Sequence, residues 1–149
     1  MTEPSDPQAL AEACAEAMYE RDYASKSLGI VLDAVRPGFS QMSMTVSQTM
    51  VNGHALCHGG LIFTLADTAF AYACNSRNQS TVAARCSIDF IAPARLDDVL
   101  TAVAEERTLS GRTGIYDIIV RNQHKDLVAL FRGNSYRIRG EVVTERRPS

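Results

Sequence analysis

One carboxylate stands in the middle of the most apolar stretch of the chain. Asp67 lies within Leu61–Cys74, where it is surrounded by leucine, alanine and phenylalanine. Burying a lone carboxylate is costly, so Asp67 must be paired, neutralised or functional. A hydrogen bond to a nearby hydroxyl or amide would make it a structural residue. A partly desolvated carboxylate with a raised pKa is also what a general base or a nucleophile requires, so both interpretations stay open here.

A second pattern, His58-Gly59-Gly60, stands directly before this apolar stretch. The first N–H groups of a helix are unpaired, the helix dipole adds partial positive charge there, and glycine admits a ligand close to the backbone. Such a helix start can bind an oxyanion or a carbonyl oxygen. An ordinary glycine-containing loop, a structural His58 and a simple turn at Asn52-Gly53 are the alternatives.

The elements that must position these residues follow from periodicity and turn signals. Ser5-Asp6-Pro7 predicts a helix start, and an N-terminal helical segment is expected over about 6–24. The segment 61–74 is apolar almost all round, which is typical of a buried helix. Alternation and turn residues predict strands at 30–35, 39–46, 82–91, 99–106, 115–122 and 127–138. The sequence therefore predicts an α+β protein, with an antiparallel sheet wrapped around one long central helix, which is the hotdog fold.

Composition narrows the class of protein. The 149 residues suit a single domain spanning 1–149, with a charged, loose tail from about 141. A net charge of −2, without a basic stripe, argues against a nucleic-acid partner. No apolar run is long enough for a membrane span, and no secretory signal is seen, so a cytoplasmic protein is expected. The cysteines form no C-x-x-C pair, which favours reduced thiols and no metal site: Cys14, Cys57, Cys74 and Cys86.

Taken together, these motifs resemble the phenylacetate-degradation (PaaI-type) hotdog acyl-CoA thioesterases. The resemblance covers about residues 18–140, and the combined pattern is far more specific than any of its parts. The runs that carry it are Asn52–Gly60, Leu65–Asn75, Ser87–Phe90, Gly114–Asp117 and Ala129–Gly133.

The resemblance implies hydrolysis of acyl-CoA thioesters, with phenylacetyl-CoA or ring-hydroxylated relatives as substrates and no cofactor beyond the CoA of the substrate. It implies Asp67 as nucleophile or general base and the Gly59 N–H as the group that polarises the carbonyl. Asn52 and His58 resemble the residues that line and order the site, and Ser87 matches a strand position that holds the attacking water in some relatives. Further candidate contacts to the substrate or to the CoA phosphates are Gly60, Thr68, Arg95, Arg107 and Arg112.

The spacing of the two main candidates predicts a shared site. Gly59 and Asp67 are eight positions apart in one helix, which is about 12 Å along its axis. One thioester cannot reach both, so Asp67 is expected from a second chain whose helix runs antiparallel. A homodimer is therefore predicted, and the resemblance to the hotdog thioesterases implies that a dimer of dimers (homotetramer) can also form. A hotdog enoyl-CoA hydratase or dehydratase and a non-catalytic acyl-CoA-binding module remain alternatives.

Overall fold

One long helix, α3 (Gly59–Cys74), lies against a six-stranded antiparallel sheet and packs on all six strands. The structure, a computed structural model, describes residues 6–144. The strand order is β1-β2-β4-β5-β6-β3. This arrangement confirms the predicted α+β class with one central helix. The strands are β1 (Val31–Arg36), β2 (Phe39–Thr45), β3 (Thr81–Phe90), β4 (Val99–Ser110), β5 (Thr113–Arg121) and β6 (Leu127–Arg137).

The core lies between α3 and the concave face of the sheet. The predicted alternation of β2 is confirmed, because Met42 and Met44 are buried while their neighbours are more exposed. Phe70 of α3 lies directly over Gly133 of β6, where an added Cβ would stand 2.6 Å from its ring. The absence of a side chain at this point lets helix and sheet approach closely.

The N-terminal region forms two helices, which corrects the single segment expected over 6–24. Helix α1 (Pro7–Glu20) begins after Asp6, whose Oδ2 accepts a hydrogen bond from the Ala9 N–H at 3.1 Å. Helix α2 (Tyr23–Ser27) begins after Asp22, whose Oδ1 accepts from Ser25 N–H at 3.1 Å. Aspartate satisfies the free N–H groups of a new helix, so Asp22 starts α2 instead of continuing α1. Ser5, the first residue of the predicted start, lies outside the described residues.

The two edge strands of the sheet have different environments. Along β1, the Gln8 side chain of α1 donates to the Val35 carbonyl at 2.8 Å, and the Tyr19 hydroxyl donates to the Ile30 carbonyl at 2.7 Å. Strand β3 is the other edge: within residues 6–144 it pairs with β6 alone, and Val82 and Phe90 are exposed. A long strand with an open edge and exposed apolar side chains is suited to pair with another strand.

Strand β4 extends to Ser110, four residues beyond the predicted end. The ladder with β5 is irregular between Glu106 and Thr108. An irregularity of this kind interrupts the two-residue alternation that a sequence pattern detects, so the end of β4 was missed.

Residues 141–144 are held to the domain by hydrogen bonds, which corrects the loose tail expected from about 141. Val143 N–H donates to Asn78 Oδ1 at 2.7 Å, and Asn78 Nδ2 donates back to the Val143 carbonyl at 2.9 Å. Residues 145–149 of the predicted tail lie outside the described residues. Within residues 6–144, no helix has the length and apolar character needed to cross a membrane.

Candidate active site

The start of α3 presents free backbone donors. His58 is the N-cap residue, its own N–H donates to the Met50 carbonyl at 2.9 Å, and its carbonyl accepts from Leu61 N–H at 3.0 Å. Within residues 6–144, the N–H groups of Gly59 and Gly60 donate to no acceptor. These two N–H groups therefore remain available to a ligand at the positive end of the helix dipole.

An apolar groove opens beside Gly59. Its volume is about 390 Å³, and it is lined by Cys57, Gly59, Ile62, Phe90, Ile91, Ala92, Pro93 and Ala94. A Cβ built on Gly59 would lie 2.9 Å from Cζ of Phe90. Glycine at this position therefore leaves the ring of Phe90 against the helix start. A carbonyl oxygen could accept from the Gly59 N–H while an apolar group lies in the groove.

Asn52 and His58 have different environments. Asn52 Oδ1 accepts from His54 N–H at 2.9 Å and from Leu56 N–H at 3.2 Å, so it orders the loop that leads into α3. The side chain of His58 is exposed and makes no capping hydrogen bond. The structure thus supports an ordering role for Asn52 and leaves the His58 imidazole facing solvent in the single chain.

Asp67 is half-buried on α3, and its carboxylate has no hydrogen bond or ion pair to any residue within 6–144. The structural alternative required a hydroxyl or amide that holds the carboxylate, and none of the residues 6–144 makes that contact. Loss of water on burial raises the pKa of Asp67 above its usual range. A partly desolvated carboxylate without a partner is poised to accept a proton or to attack a carbonyl carbon.

Two thiols lie near Asp67. Burial raises the pKa of Cys86, and the negative charge of Asp67 raises it further. Burial also raises the pKa of Cys74 to about 12, with Asp67 adding to the effect. Both cysteines are therefore neutral thiols near neutral pH and are poor nucleophiles. Their environment leaves Asp67 as the reactive group on this side of the helix.

Within one chain, Gly59 and Asp67 do not converge. Both belong to the uninterrupted helix α3, eight positions apart, and helix geometry separates them by about 12 Å along the axis. The free N–H and the carboxylate therefore belong to two different halves of any site that uses both.

Thr68 and Gly60 lie on the exposed side of α3. The Thr68 hydroxyl donates to the Thr64 carbonyl at 2.6 Å, and the Thr64 hydroxyl donates to the Gly60 carbonyl at 2.9 Å. The Thr68 hydroxyl therefore donates within its own helix, whereas the N–H of Gly60 stays free.

Ser87 lies on the outer face of the sheet in the single chain, and its role in holding the attacking water stays a prediction. Ser87 is paired with Arg132, whose guanidinium binds Asp117 at 2.7 Å on the outer face of the sheet. The neighbouring Cys86 instead packs toward the core and α3. Since side chains alternate along a strand, a shift of one position exchanges the two faces.

The three candidate arginines lie in three separate places. Arg95 is exposed and bridges to Leu56, close to the start of α3. Arg107 pairs with Asp117 at 3.0 Å on the outer face of the sheet. Arg112 lies in the turn between β4 and β5, near the C-terminal end of α3. Only Arg95 is near Gly59, so the chain does not gather these side chains around one phosphate group.

Two residues that pattern reasoning missed prove central to the geometry. Phe90 forms the wall over Gly59, and Cys86 occupies the position near Asp67. Phe90 is followed by Ile91, and both are exposed apolar side chains at a strand end. That pair before Pro93 was a detectable signal for a ligand-binding wall. Within residues 6–144, no group of three or more histidine, cysteine or acidic side chains is placed to hold a metal ion.

The family model "Thioesterase superfamily" matches residues 54–129, a span that includes both Gly59 and Asp67. Over 131 residues, the chain is 51% identical to the acyl-coenzyme A thioesterase PaaI of Escherichia coli K12, covering 88% of this chain and 94% of that protein. The chain belongs to the thioesterase superfamily. The resemblance to the PaaI-type enzymes is thereby confirmed, and with it the expectation of a thioester hydrolase.

Structural similarity agrees with this family. The solved structure of the E. coli PaaI protein from the phenylacetic acid degradation operon superposes with a TM-score of 0.90 at 49% identity, covering 91% of this chain and 99% of that one. A putative esterase of Archaeoglobus fulgidus is 33% identical over 129 residues, which is 87% of this chain and 84% of that protein. As a thioesterase superfamily member, the chain has the hotdog fold.

Proposed function

We propose that this protein hydrolyses acyl-CoA thioesters and that its preferred substrates are aryl-acetyl-CoA esters, phenylacetyl-CoA or its ring-hydroxylated relatives. The observation that carries the proposal is the half-buried Asp67 carboxylate, which has no partner within residues 6–144. The apolar groove beside the free N–H of Gly59 supports an acyl group of aromatic character. The similarity to E. coli PaaI, a named acyl-CoA thioesterase, supports the reaction type.

The proposed chemistry needs two groups of the protein. The Gly59 N–H donates to the thioester carbonyl oxygen, which makes the carbonyl carbon more electrophilic and stabilises the oxyanion that forms. Asp67 then either removes a proton from a water molecule that attacks this carbon or attacks it directly to form an anhydride. The C–S bond breaks, CoA leaves as a thiolate that takes up a proton, and the anhydride route is completed by hydrolysis. The CoA is part of the substrate, and the scheme uses no additional cofactor.

A dimer would join the two halves of the site. If two copies pair through their open β3 edges, a two-fold axis runs between them and their α3 helices become antiparallel. Gly59 of one copy would then approach Asp67 of the other, twice per dimer. The unpaired edge of β3 and its exposed Val82 and Phe90 support this mode of pairing. A dimer of dimers would keep the same shared sites.

The test is a thiol-release assay with a panel of CoA thioesters. We expect kcat/KM for phenylacetyl-CoA to exceed that for acetyl-CoA by about tenfold or more, because the ring contributes apolar contact in the groove. Equal values would contradict an aromatic pocket, and a preference for saturated medium-chain thioesters would indicate a general housekeeping thioesterase.

The same panel separates the two alternatives. A hydratase needs an acid–base pair beside the acyl carbons. Within one chain His58 and Asp67 are nine positions apart, so such a pair would also have to form between two chains. Hydration of an enoyl-CoA without thiol release would establish the hydratase. Tight binding of acyl-CoA with neither reaction would establish a binding module.

A further inference from the structure

A small cationic cavity lies at the C-terminal end of α3, at the opposite end of the helix from Gly59. Its volume is about 70 Å³, and three arginines contribute to its wall: Arg77, Arg112 and Arg137. None of the described residues that line it is acidic. We propose that this cavity, which we call the arginine cavity, binds a phosphate-class oxyanion.

The charges around the arginine cavity are not balanced. Arg77 forms an ion pair with Glu106, but Arg112 and Arg137 have no acidic partner within residues 6–144. Three guanidinium groups and one carboxylate leave a net charge of about +2, which exceeds the roughly −0.5 of the helix C-terminus. Like charges held close together repel each other, and a bound anion would remove that repulsion.

Backbone contacts fix the two unpaired arginines near each other. Arg137 N–H donates to the Arg112 carbonyl at 2.7 Å, and the Arg112 guanidinium donates to the Arg137 carbonyl at 3.4 Å. The Arg137 guanidinium also donates to the Gln79 side-chain oxygen at 3.2 Å. Both guanidinium groups keep further N–H donors, and such donors match the oxygens of a phosphate group.

A buried hydroxyl without a partner points to a ligand at the same place. Ser135 is only 2% exposed and lines the arginine cavity. Its Oγ makes no hydrogen bond to any residue within 6–144, although no fully enclosed side-chain polar atom in that range lacks a partner. The hydroxyl therefore opens onto the cavity. Gly114 keeps that opening clear, because an added Cβ there would stand 2.7 Å from Ser135 Oγ.

The small size of the cavity and the absence of negative charge in its wall suit a compact anion. A cavity of about 70 Å³ compares with about 30 Å³ for each molecule of liquid water. A phosphate group fits this space, whereas a nucleotide or an aromatic ring does not. Burial raises the pKa of Cys74 to about 12 and also raises the pKa of Tyr116, so neither side chain adds negative charge near neutral pH.

The phosphate group has two possible sources. It could be free inorganic phosphate, or a phosphate of a larger molecule whose body stays outside the cavity. The second source rests on the function proposed above, since CoA carries such groups. The first source does not depend on that function.

Binding of inorganic phosphate to the full-length protein, measured by calorimetry, tests the site itself. Arg112→Gln and Arg137→Gln should each weaken phosphate binding by about tenfold or more, because each removes charge-assisted hydrogen bonds. Ser135→Ala should weaken it by less. Arg121→Gln is the matched control, since Arg121 is exposed and lies outside the arginine cavity. Absence of phosphate binding, or an equal loss in the control, overturns the proposal.

Comparison of CoA with 3′-dephospho-CoA then identifies the source. If the wild type binds CoA more tightly and Arg112→Gln abolishes that difference, the cavity holds the 3′-phosphate of the substrate. If the variants change phosphate binding but leave both CoA affinities unchanged, the cavity is a separate anion site. The phosphate measurement involves no thioester, so failure of this inference and failure of the proposed hydrolase activity are distinguishable.

Discussion

Two aspartates in this molecule have opposite electrostatic environments. The hydrogen bond from Arg132, together with Arg107, holds the pKa of Asp117 below its usual range. Burial without a partner raises the pKa of Asp67. A carboxylate such as Asp117 is stabilised in its charged form and is poorly reactive, whereas Asp67 remains available for chemistry.

Replacing Asp67 with asparagine preserves size and removes the reactive carboxylate. We expect Asp67→Asn to lower kcat on the best thioester by about 10²-fold or more, the range that general acid–base groups supply. Steady-state thiol release gives the value, and circular dichroism verifies that the fold is retained. Near-normal turnover in a folded Asp67→Asn protein would remove Asp67 from the mechanism.

Asp67→Asn should lower the activity of the enzyme but raise its stability. Because the pKa of Asp67 is raised in the folded state, ionisation of Asp67 opposes folding. This penalty is absent below about pH 4, the ordinary range of aspartate, and develops as pH rises through the folded-state pKa. Asp67→Asn should therefore raise Tm at neutral pH by about 1–3 °C, and the gain should vanish in acid.

Thermal unfolding at a series of pH values checks this prediction, with Asp117→Asn as its counterpart. The pKa of Asp117 is lowered on folding, so its charged form stabilises the fold above the unfolded-state pKa, and this contribution is lost as pH falls. Asp117→Asn should accordingly lower Tm at neutral pH. A similar drop in both variants would show that the Asp67 carboxylate stabilises the native state.

Asp67 and Gly59 could be singled out from the sequence because each breaks a local rule. A carboxylate in an apolar helix and glycines at a helix start can be recognised from the sequence alone. The face that Ser87 occupies could not be predicted, because the face of a strand residue depends on pairing, and β3 has an irregularity between Ala83 and Arg85. No alternation rule applied to β3 alone gives the face, since most of that edge strand is exposed in the single chain.

At the scale of elements, α1 acts as a cover for the edge of β1. The Tyr19 hydroxyl satisfies the Ile30 carbonyl at 2.7 Å, and Gln8 satisfies the Val35 carbonyl. These contacts join a helix that is distant from the candidate active site to a strand that would otherwise be open. They make α1 part of the folded domain, not an appendage.

Tyr19→Phe tests the hydrogen bond to the Ile30 carbonyl, because it removes the hydroxyl and keeps the ring. Removing the hydroxyl should lower the free energy of unfolding by about 1 kcal/mol, because the Ile30 carbonyl loses its donor. Denaturant unfolding provides the measurement. Tyr23→Phe is the matched control, since the Tyr23 side chain is 75% exposed and also lies near Lys26. Equal effects of the two substitutions would contradict a role for the hydroxyl at the β1 edge.

The existence of nearly every element could be predicted from the sequence, while several ends could not. Periodicity identified α3 and all six strands. The division between α1 and α2 depends on Asp22, which also accepts a hydrogen bond from the hydroxyl of Tyr72 at 3.0 Å. That contact joins residues fifty positions apart, and local patterns contain no information about it.

At the scale of the whole molecule, the shared-site proposal makes a complementation prediction. Asp67→Asn and Gly59→Pro should each be inactive, and proline is tolerated at the first position of a helix. In a mixed dimer, one site receives an intact Gly59 and an intact Asp67, while the other receives both lesions. Co-refolded mixtures should regain up to about a quarter of wild-type activity if chains pair at random.

The controls for this experiment are set by the structure. An atom added at Gly59 meets the far end of the Phe90 side chain, which is 53% exposed in the single chain. Size-exclusion chromatography must show that Gly59→Pro still dimerises. If it does and mixing restores nothing, the two residues do not act in one shared site.

The unequal edges of the sheet also limit how far association through strand pairing can extend. Pairing through β3 would give a continuous sheet whose two outer strands are both β1, and beside each of them side chains of α1 bind the carbonyls of Val35 and Ile30. A third copy that approached this edge would meet α1 as well as the strand. The open β3 edge can thus serve for assembly without extension into a fibre, because the opposite edge of each added copy lies beside α1.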